Sequence, residues 1–143
     1  MPVRTANAEW KGNLAKGNGT VSTESGVLNQ AGYTFPSRFE SGVGTNPEEL
    51  IGAAHAGCYS MALSHELDQA GHDPVRVTTE AKVHLGDTDD GPGITHIELT
   101  CRAEVPDIDD EAFQTIAEGA RAGCPISRAL AAVEITLEAE LIR

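Results

Sequence analysis

Apolar and polar side chains alternate with a period of two along three stretches in the second half of the chain. These stretches run from Val75 to Leu85, from Ile97 to Val105 and from Ile135 to Leu141. Alternation over this length is typical of strands that place one face on a core and the other in solvent. We therefore predict three strands here, with the apolar residues of each strand facing the core.

Near the N-terminus, two stretches flank a glycine-containing turn and predict a β-hairpin. The strands are expected at Ala8–Ala15 and Thr20–Glu24, joined by Lys16–Gly19, whose glycines can adopt the positive φ that a tight turn requires. The next stretch, 25–45, is rich in glycine and polar residues. We expect it to be irregular, with a short strand at Phe35–Phe39.

A long helix is predicted to begin after Asn46 and to end at Gly71. Asn46 is a suitable N-cap, and the Pro-Glu-Glu sequence that follows it suits a first helical turn, where proline loses no hydrogen bond and acidic residues meet the positive end of the dipole. Small and apolar residues cover nearly every face between Leu50 and Leu63. We therefore expect protein to enclose this helix and the thiol of Cys58 near its middle to be buried.

A second helix is predicted to begin after the N-cap Asp109 and to end at Gly123. A short third helix should follow, with Pro125 at its first position and Cys124 at its cap. In this arrangement backbone N–H groups point towards the Cys124 sulfur.

The composition disfavours two classes of partner. The 143 residues include 10 Lys and Arg against 22 Asp and Glu, which gives a formal net charge of −12. A surface with this charge repels nucleic acid phosphates and anionic lipid, and no apolar run reaches the length of a signal peptide or a membrane span. We expect one domain over residues 1–143, a cytoplasmic location, and no nucleic-acid or membrane partner.

The cysteines Cys58, Cys101 and Cys124 are too few and too scattered for a disulfide scaffold or a four-thiolate zinc site. Cys101 lies on the apolar face of a predicted strand, so we interpret it as a core residue. Cys124 lies at a helix N-terminus, which is the arrangement that most directly lowers the pKa of a thiol. Local chemistry alone would therefore select Cys124 as the more reactive thiol.

Cys58 lacks this electrostatic support. It lies 12 residues after Asn46, about 18 Å along the helix axis, whereas the dipole effect fades within the first turn. Because burial alone would raise its pKa, a Cys58 thiolate needs a cation from another element. Arg38 is the candidate, and Glu48 or Glu49 could orient its guanidinium.

The sequence gives little support to a metal site. His55 and Cys58 lie three apart on the predicted helix and could bind zinc together with Cys124, but no second histidine occurs at the usual spacing. The acidic stretch Gly86–Gly93 lacks the spacing of a calcium loop and is interpreted as a turn. The remaining histidines show no constellation: His65, His72, His84 and His96. We therefore predict no metal site.

Several long motifs, in a fixed order, carry a family resemblance over almost the whole chain. They are Gly19–Asn29, Arg38–Glu40, Gly44–Cys58 and Ala122–Pro125. With these motifs the chain resembles the osmotically inducible protein C branch of the OsmC/Ohr family. The resemblance implies an α+β fold in which a curved antiparallel β-sheet packs with two main helices. It also implies an intertwined homodimer with active sites at the subunit interface.

The resemblance further implies a thiol-dependent reductase of organic hydroperoxides, hydrogen peroxide or both, acting in stress defence without a bound cofactor or metal. In this family pattern Cys58 matches the peroxidatic thiol and Cys124 the resolving thiol. Arg38 matches the activating arginine, and Glu48 matches the glutamate that holds it. An external thiol, dithiol or lipoyl group would restore the reduced enzyme. Apolar lining by Tyr33, Phe35, Phe39 and Met61 would suit an alkyl hydroperoxide, but each of these residues taken singly is interpreted as an ordinary core residue.

The spacing on the long helix bears on how such a site is assembled. If the helix is continuous, Glu48 and Cys58 lie about 15 Å apart along its axis, so Glu48 cannot touch the Cys58 of its own helix. We predict composite sites, in which Arg38, Glu48 or both reach the Cys58 of the other subunit. Two alternatives stay open. Cys58 could be inert packing, or the cysteine pair could be the switch of a non-catalytic redox sensor or ligand-binding protein.

Overall fold

A computed structural model describes residues 1–143 as an α+β fold. The elements in chain order are β1 (Ala6–Lys11), β2 (Asn18–Thr23), β3 (Ala31–Tyr33), α1 (Phe35–Phe39), α2 (Pro47–Gln69), β4 (Arg76–Thr88), β5 (Gly91–Glu104), α3 (Asp110–Gly123), α4 (Pro125–Ala129) and β6 (Glu134–Ile142). They divide between two compact units, Met1–Leu50 and Ile51–Arg143. None of the helices combines the length and the apolar character that crossing a membrane requires.

The first unit contains a three-stranded antiparallel sheet in the order β1-β2-β3. The predicted hairpin is confirmed, but its first strand ends at Lys11 rather than at Ala15. The chain leaves the strand at Gly12, whose φ of +91° favours glycine, and the Asn13 side chain then accepts a hydrogen bond from the N–H of Lys16. The turn therefore begins at Gly12, before the glycines Gly17 and Gly19 on which the prediction of the turn rested.

The short strand predicted at Phe35–Phe39 is wrong, because these residues form the helix α1. Thr34 and Ser37 make a reciprocal capping box, in which each side chain bonds the backbone N–H of the other residue. Pro36 adds a fixed φ in the first turn. The strand of this region is β3, which pairs with β2 just before the cap.

The second unit contains the sheet β4-β5-β6. The three predicted strands are confirmed. However, the strands β4 and β5 continue through most of the stretch interpreted as an acidic turn, which leaves only Asp89 and Asp90 between them. The apolar faces of these strands pack with α2 and α3 in one core, and Cys101 is fully buried in it, as expected.

The expected antiparallel sheet is wrong for this unit, because β4 and β5 are antiparallel whereas β5 and β6 are parallel. The cause is the connection between β5 and β6. Parallel neighbours need a crossover long enough to carry the chain back to the starting end, and here α3 and α4 provide it. This crossover also places Cys124 between two helices.

The helix α2 begins and ends as predicted. The Asn46 side chain caps it by accepting a hydrogen bond from the N–H of Glu49, and Gly71 follows its end with a φ of +87°. One face is buried along its whole length, through Glu48, Gly52, His55, Tyr59, Leu63 and Leu67.

The expectation that protein encloses α2 on every side is wrong for the isolated chain. Its opposite face is exposed at the small or apolar residues Ala53, Ala54, Gly57 and Met61, and Met61 is 77% exposed. Cys58 lies between the two faces and is therefore half-buried rather than buried. The helix keeps an apolar surface that this chain does not cover.

Tyr59 ties α2 to α3, because its buried hydroxyl donates a hydrogen bond of 3.1 Å to the backbone oxygen of Ala117. We expect Tyr59→Phe to lower the free energy of unfolding by about 1 kcal/mol, since it removes one buried hydrogen bond and little packing. Urea denaturation measures this change. Tyr33→Phe, which removes the hydroxyl of a half-exposed tyrosine, is the matched control. An equal loss in both variants would contradict this role of Tyr59.

Candidate active site

Two thiols meet in the second unit, where the Sγ atoms of Cys58 and Cys124 lie 3.0 Å apart. A disulfide bond is about 2 Å long, so the two are reduced thiols in hydrogen-bond contact. Forming the bond would require the sulfurs to approach by about 1 Å. The pair is thus already arranged for reversible disulfide formation.

The break between α3 and α4 positions Cys124. Its backbone leaves the helical region, with φ −54° and ψ 131°, so the residue ends α3 and caps α4 at the same time. Pro125 then restarts the helix at its first position, where the absence of an N–H has no cost. The Cys124 side chain is fully buried in the core. Of its hydrogen bonds, only the one with Cys58 reaches α2.

The two sulfurs differ in acidity. Burial raises the pKa of Cys124, but hydrogen bonds from Cys58, from the N–H and hydroxyl of Ser127 and from the N–H of Ile126 outweigh it, so this pKa lies below its ordinary value. Burial and the contact with Cys124 raise the pKa of Cys58, and the N–H of Ile126 and the charge of Arg128 offset this only in part. Within this unit Cys124 is the more acidic thiol, and Cys58 lacks a sufficient positive partner.

Ser127 and His55 lie behind the thiol pair and were not identified as a pair from the sequence. The Nε2 atom of His55 lies 2.7 Å from the Ser127 hydroxyl, which is also a hydrogen-bond partner of the Cys124 sulfur. Burial lowers the pKa of His55, so its ring is neutral at neutral pH. Its Nδ1 atom has no partner. This fits a tautomer with the proton on Nε2, which donates to Ser127 while the serine donates to Cys124.

A matching spacing could have revealed this network. His55 and Cys58 are three residues apart on α2, and Cys124 and Ser127 are three residues apart at the start of α4. Residues at this spacing lie on one helix face, so two such pairs can meet across two packed helices. The same geometry argues against the zinc alternative, since the Nε2 atom of His55 is engaged by Ser127 and the ligand atoms of His55 do not cluster with the two thiols.

Arg38 and Glu48 form a second pair, in the first unit. The guanidinium donates from Nε to Oε1 and from Nη2 to Oε2, both at 3.1 Å. This two-point geometry fixes the plane and direction of the arginine, and it leaves Nη1 free for another acceptor. Glu48 is almost completely buried, whereas Glu49 bonds to Thr45 instead. The structure therefore distinguishes the two candidate glutamates.

Arg38 also borders an apolar cavity of about 380 Å³ in the first unit. The expected residues Tyr33, Phe35 and Phe39 line it, and the Arg38 guanidinium lies 5.2 Å from the centre of the Phe39 ring. Trp10 joins them, although the sequence did not single it out. Met61 does not line this cavity, because it is exposed on α2 and borders a shallow depression with Ser64 and His65.

The interpretation that His84 and His96 belong to no constellation is wrong. The register of β4 and β5 places them directly opposite each other, with the rings stacked at 3.8 Å, and Glu98 lies beside them. Pairing across strands does not depend on spacing along the chain, so the sequence pattern did not reveal this group.

Comparisons with known proteins agree with the motifs found in the sequence. Residues 40–138 match a family model described as OsmC-like protein. The chain is 53% identical over 138 residues to a protein of Escherichia coli (strain K12) named Peroxiredoxin OsmC, with 96% of each chain covered. It is 30% identical over 139 residues to the organic hydroperoxide resistance protein OhrB of Bacillus subtilis (strain 168), covering 96% of this chain and 98% of that one. Its fold matches the crystal structure of an organic hydroperoxide resistance protein from Elizabethkingia anophelis with a TM-score of 0.73, at 26% identity and 99% coverage of both chains.

Removing the Ser127 hydroxyl should raise the pKa of Cys124, because one hydrogen bond that stabilises the thiolate is lost. We expect a smaller fraction of Cys124 to be ionised at neutral pH in Ser127→Ala. Titration of the thiolate ultraviolet absorbance measures this, in a Cys58→Ser, Cys101→Ala background where only Cys124 titrates. Ser64→Ala, at the surface depression of the same unit, is the control. An unchanged pKa in Ser127→Ala would show that the hydroxyl does not act on the sulfur.

Proposed function

We propose that this chain, which belongs to the OsmC-like protein family, is a thiol-dependent peroxidase that reduces organic hydroperoxides, hydrogen peroxide or both. The observation that carries the proposal is the approach of the Cys58 and Cys124 sulfurs to 3.0 Å. Two reduced thiols at this distance can pass two electrons to a peroxide and become a disulfide. The names of the relatives from Escherichia coli and Bacillus subtilis support the same chemistry.

The first step is attack of the Cys58 thiolate on the distal oxygen of ROOH. The O–O bond breaks, Cys58 becomes a sulfenic acid, and the departing alkoxide takes a proton from water to give the alcohol. Arg38 would stabilise both the thiolate and the negative charge on the leaving oxygen through its free N–H groups. This role fits the raised pKa of Cys58, which needs a cation from outside its own unit.

The second step is attack of Cys124 on the sulfenic sulfur of Cys58. The sulfur–sulfur bond forms, the sulfur–oxygen bond breaks, and the hydroxide that leaves takes a proton to become water. The lowered pKa of Cys124 supports this role, since the attacking thiol reacts as a thiolate. The acidity order of the resting pair thus favours Cys124 as the resolving thiol.

A dithiol or lipoyl-type reductant would complete the cycle by attacking the disulfide through a mixed disulfide, which returns both cysteines to thiols. The electrons pass only between sulfur atoms and peroxide oxygen, so the scheme needs no bound cofactor. The small number of cysteines, three in 143 residues, supports a reducing, cytoplasmic setting. The apolar cavity beside Arg38 supports an alkyl or aryl substituent on the substrate.

We further propose a homodimer with composite sites. The exposed apolar face of α2 supports a subunit interface there, because a partner would remove Met61 and its small neighbours from water. The two-point ion pair implies that Arg38 and Glu48 act together. Glu48 and Cys58 are ten positions apart on one continuous helix, which favours an approach of this ion pair to the Cys58 of the other subunit.

Steady-state consumption of hydroperoxide with a dithiol tests the activity. We expect the wild-type protein to turn over many equivalents, and Cys58→Ser to lose essentially all activity. Cys124→Ser should still form a Cys58 sulfenic acid but should inactivate through overoxidation. Cys101→Ser is the control, since the Cys101 sulfur has Thr79 as its hydrogen-bond partner rather than either thiol of the pair.

One stoichiometric oxidation without turnover would identify a redox sensor instead of an enzyme. Sulfenic acid formation that persists only in Cys58→Ser would reverse the roles of the two cysteines. The same assay ranks substrates, and equal rates with hydrogen peroxide and an aryl hydroperoxide would contradict a role of the cavity in binding the alkyl or aryl part.

Complementation between inactive variants tests the composite site. A dimer of Arg38→Ala with Cys58→Ser contains one intact site if Arg38 serves the other subunit, and none if it serves its own. Random pairing of equal amounts should therefore restore about a quarter of the wild-type activity. The two variants are coexpressed and compared with each variant alone, and size-exclusion chromatography with light scattering confirms the dimer. No restored activity in confirmed mixed dimers would place the complete site in one chain.

A further inference from the structure

The outer face of the second sheet carries a cluster of metal-ligating groups that shares no residue with the thiol pair. His84 on β4 faces His96 on β5, and Glu98 follows His96 on the same face. The ligand atoms of these three side chains all lie within 4.8 Å of one another, and each residue is half-buried. The strand register therefore brings together two imidazoles and a carboxylate.

The hydrogen bonds around His96 leave the nitrogen that a metal needs. The Thr95 hydroxyl can donate to the backbone oxygen of His84 and accept from the Nδ1–H of His96, at 3.4 Å and 3.2 Å. This arrangement keeps the proton on Nδ1 and leaves a free lone pair on Nε2. Metal-binding histidines usually have their second nitrogen held in this way, which orients the ring.

A hydrogen bond joins His84 to Glu98, with its proton between the ring nitrogen and the carboxylate. The Nε2 atom of His84 lies 2.5 Å from Oε2 of Glu98. A divalent cation could take the place of that proton, since neutral imidazole nitrogen and carboxylate oxygen are both metal ligands. The surrounding charge favours a bound cation, because the chain has a net charge of −12 and Glu134 on the neighbouring strand pairs with His96. Lys82, which lies opposite Glu98, is the nearby positive charge that opposes binding.

We propose that His84, His96 and Glu98 form a binding site for a divalent transition metal ion such as Zn²⁺, a borderline ion that accepts imidazole and carboxylate ligands. When the two rings turn out of their stacked arrangement so that their nitrogens converge, two histidines and one carboxylate provide three of the four positions of tetrahedral zinc, and water completes the set. The ion would join β4 to β5 at the irregularity in their pairing between His84 and Leu85. Its effect would be to stabilise the sheet at this point, independently of the peroxidase chemistry.

Isothermal titration of untagged protein with Zn²⁺ tests the site. The titration uses a Cys58→Ser, Cys124→Ser background, so that the thiols cannot bind the ion. We expect one Zn²⁺ per chain, together with a rise in the thermal unfolding midpoint when Zn²⁺ is added. His84→Gln and His96→Gln should each weaken binding by at least about tenfold, and so should Thr95→Val, which frees the His96 ring.

His72→Gln is the matched control, because His72 is a half-buried histidine outside the sheet, and it should leave the affinity unchanged. Circular dichroism in the presence of a chelator verifies that each variant is folded. Binding that persists in the double variant His84→Gln, His96→Gln, or that weakens equally in His72→Gln, would overturn the proposal. Binding only at millimolar zinc would indicate an adventitious ion only, with the same consequence.

Discussion

A half-buried thiol held against a fully buried one is the constraint on which the proposed chemistry of this protein depends. A thiolate is costly to bury, and a second thiol nearby can stabilise only one negative charge between the two sulfurs. The hydrogen bonds at the start of α4 direct that charge to Cys124. The ionisation of Cys58 therefore depends on a further cation. The hydrogen bonds at the start of α4 support the Cys124 thiolate, and the charge of Arg38 would support the Cys58 thiolate.

The crossover connection explains why this contact exists at all. The parallel pairing of β5 and β6 requires a long return path, and α3 and α4 fill it. The change from one helix to the next falls at Cys124, where the backbone leaves helical geometry and directs the side chain into the core. A direct hairpin between β5 and β6 would leave no element from which a second thiol could reach α2. The topology of the sheet and the contact of Cys124 with Cys58 therefore have one origin.

The sequence predicted the elements whose signals are local. Alternation located β4, β5 and β6, and cap residues located both ends of α2, because burial on one face and hydrogen-bonding side chains act within a few residues. It missed α1, where the capping box of Thr34 and Ser37 was hidden among glycines and polar residues. It could not give the direction of β6, because a strand has the same apolar pattern in a parallel and in an antiparallel pair. The thiol pair and the glutamate partner of Arg38 followed from ordered motifs, whereas the contacts of His55 with Ser127 and of His84 with His96 depend on register between distant elements.

Glu48 illustrates what the ion pair implies for changes in the sequence. Its carboxylate is almost completely buried and receives two hydrogen bonds from Arg38. Loss of the arginine alone would leave a buried negative charge without a partner, and loss of the glutamate alone would leave the arginine without its orientation. Either single change therefore destabilises the fold more than a joint replacement by two apolar residues would. The joint replacement, however, would remove the positive charge of Arg38. The two positions can therefore change only together during evolution. A related sequence that has the arginine or the glutamate without its partner would have lost this ion pair.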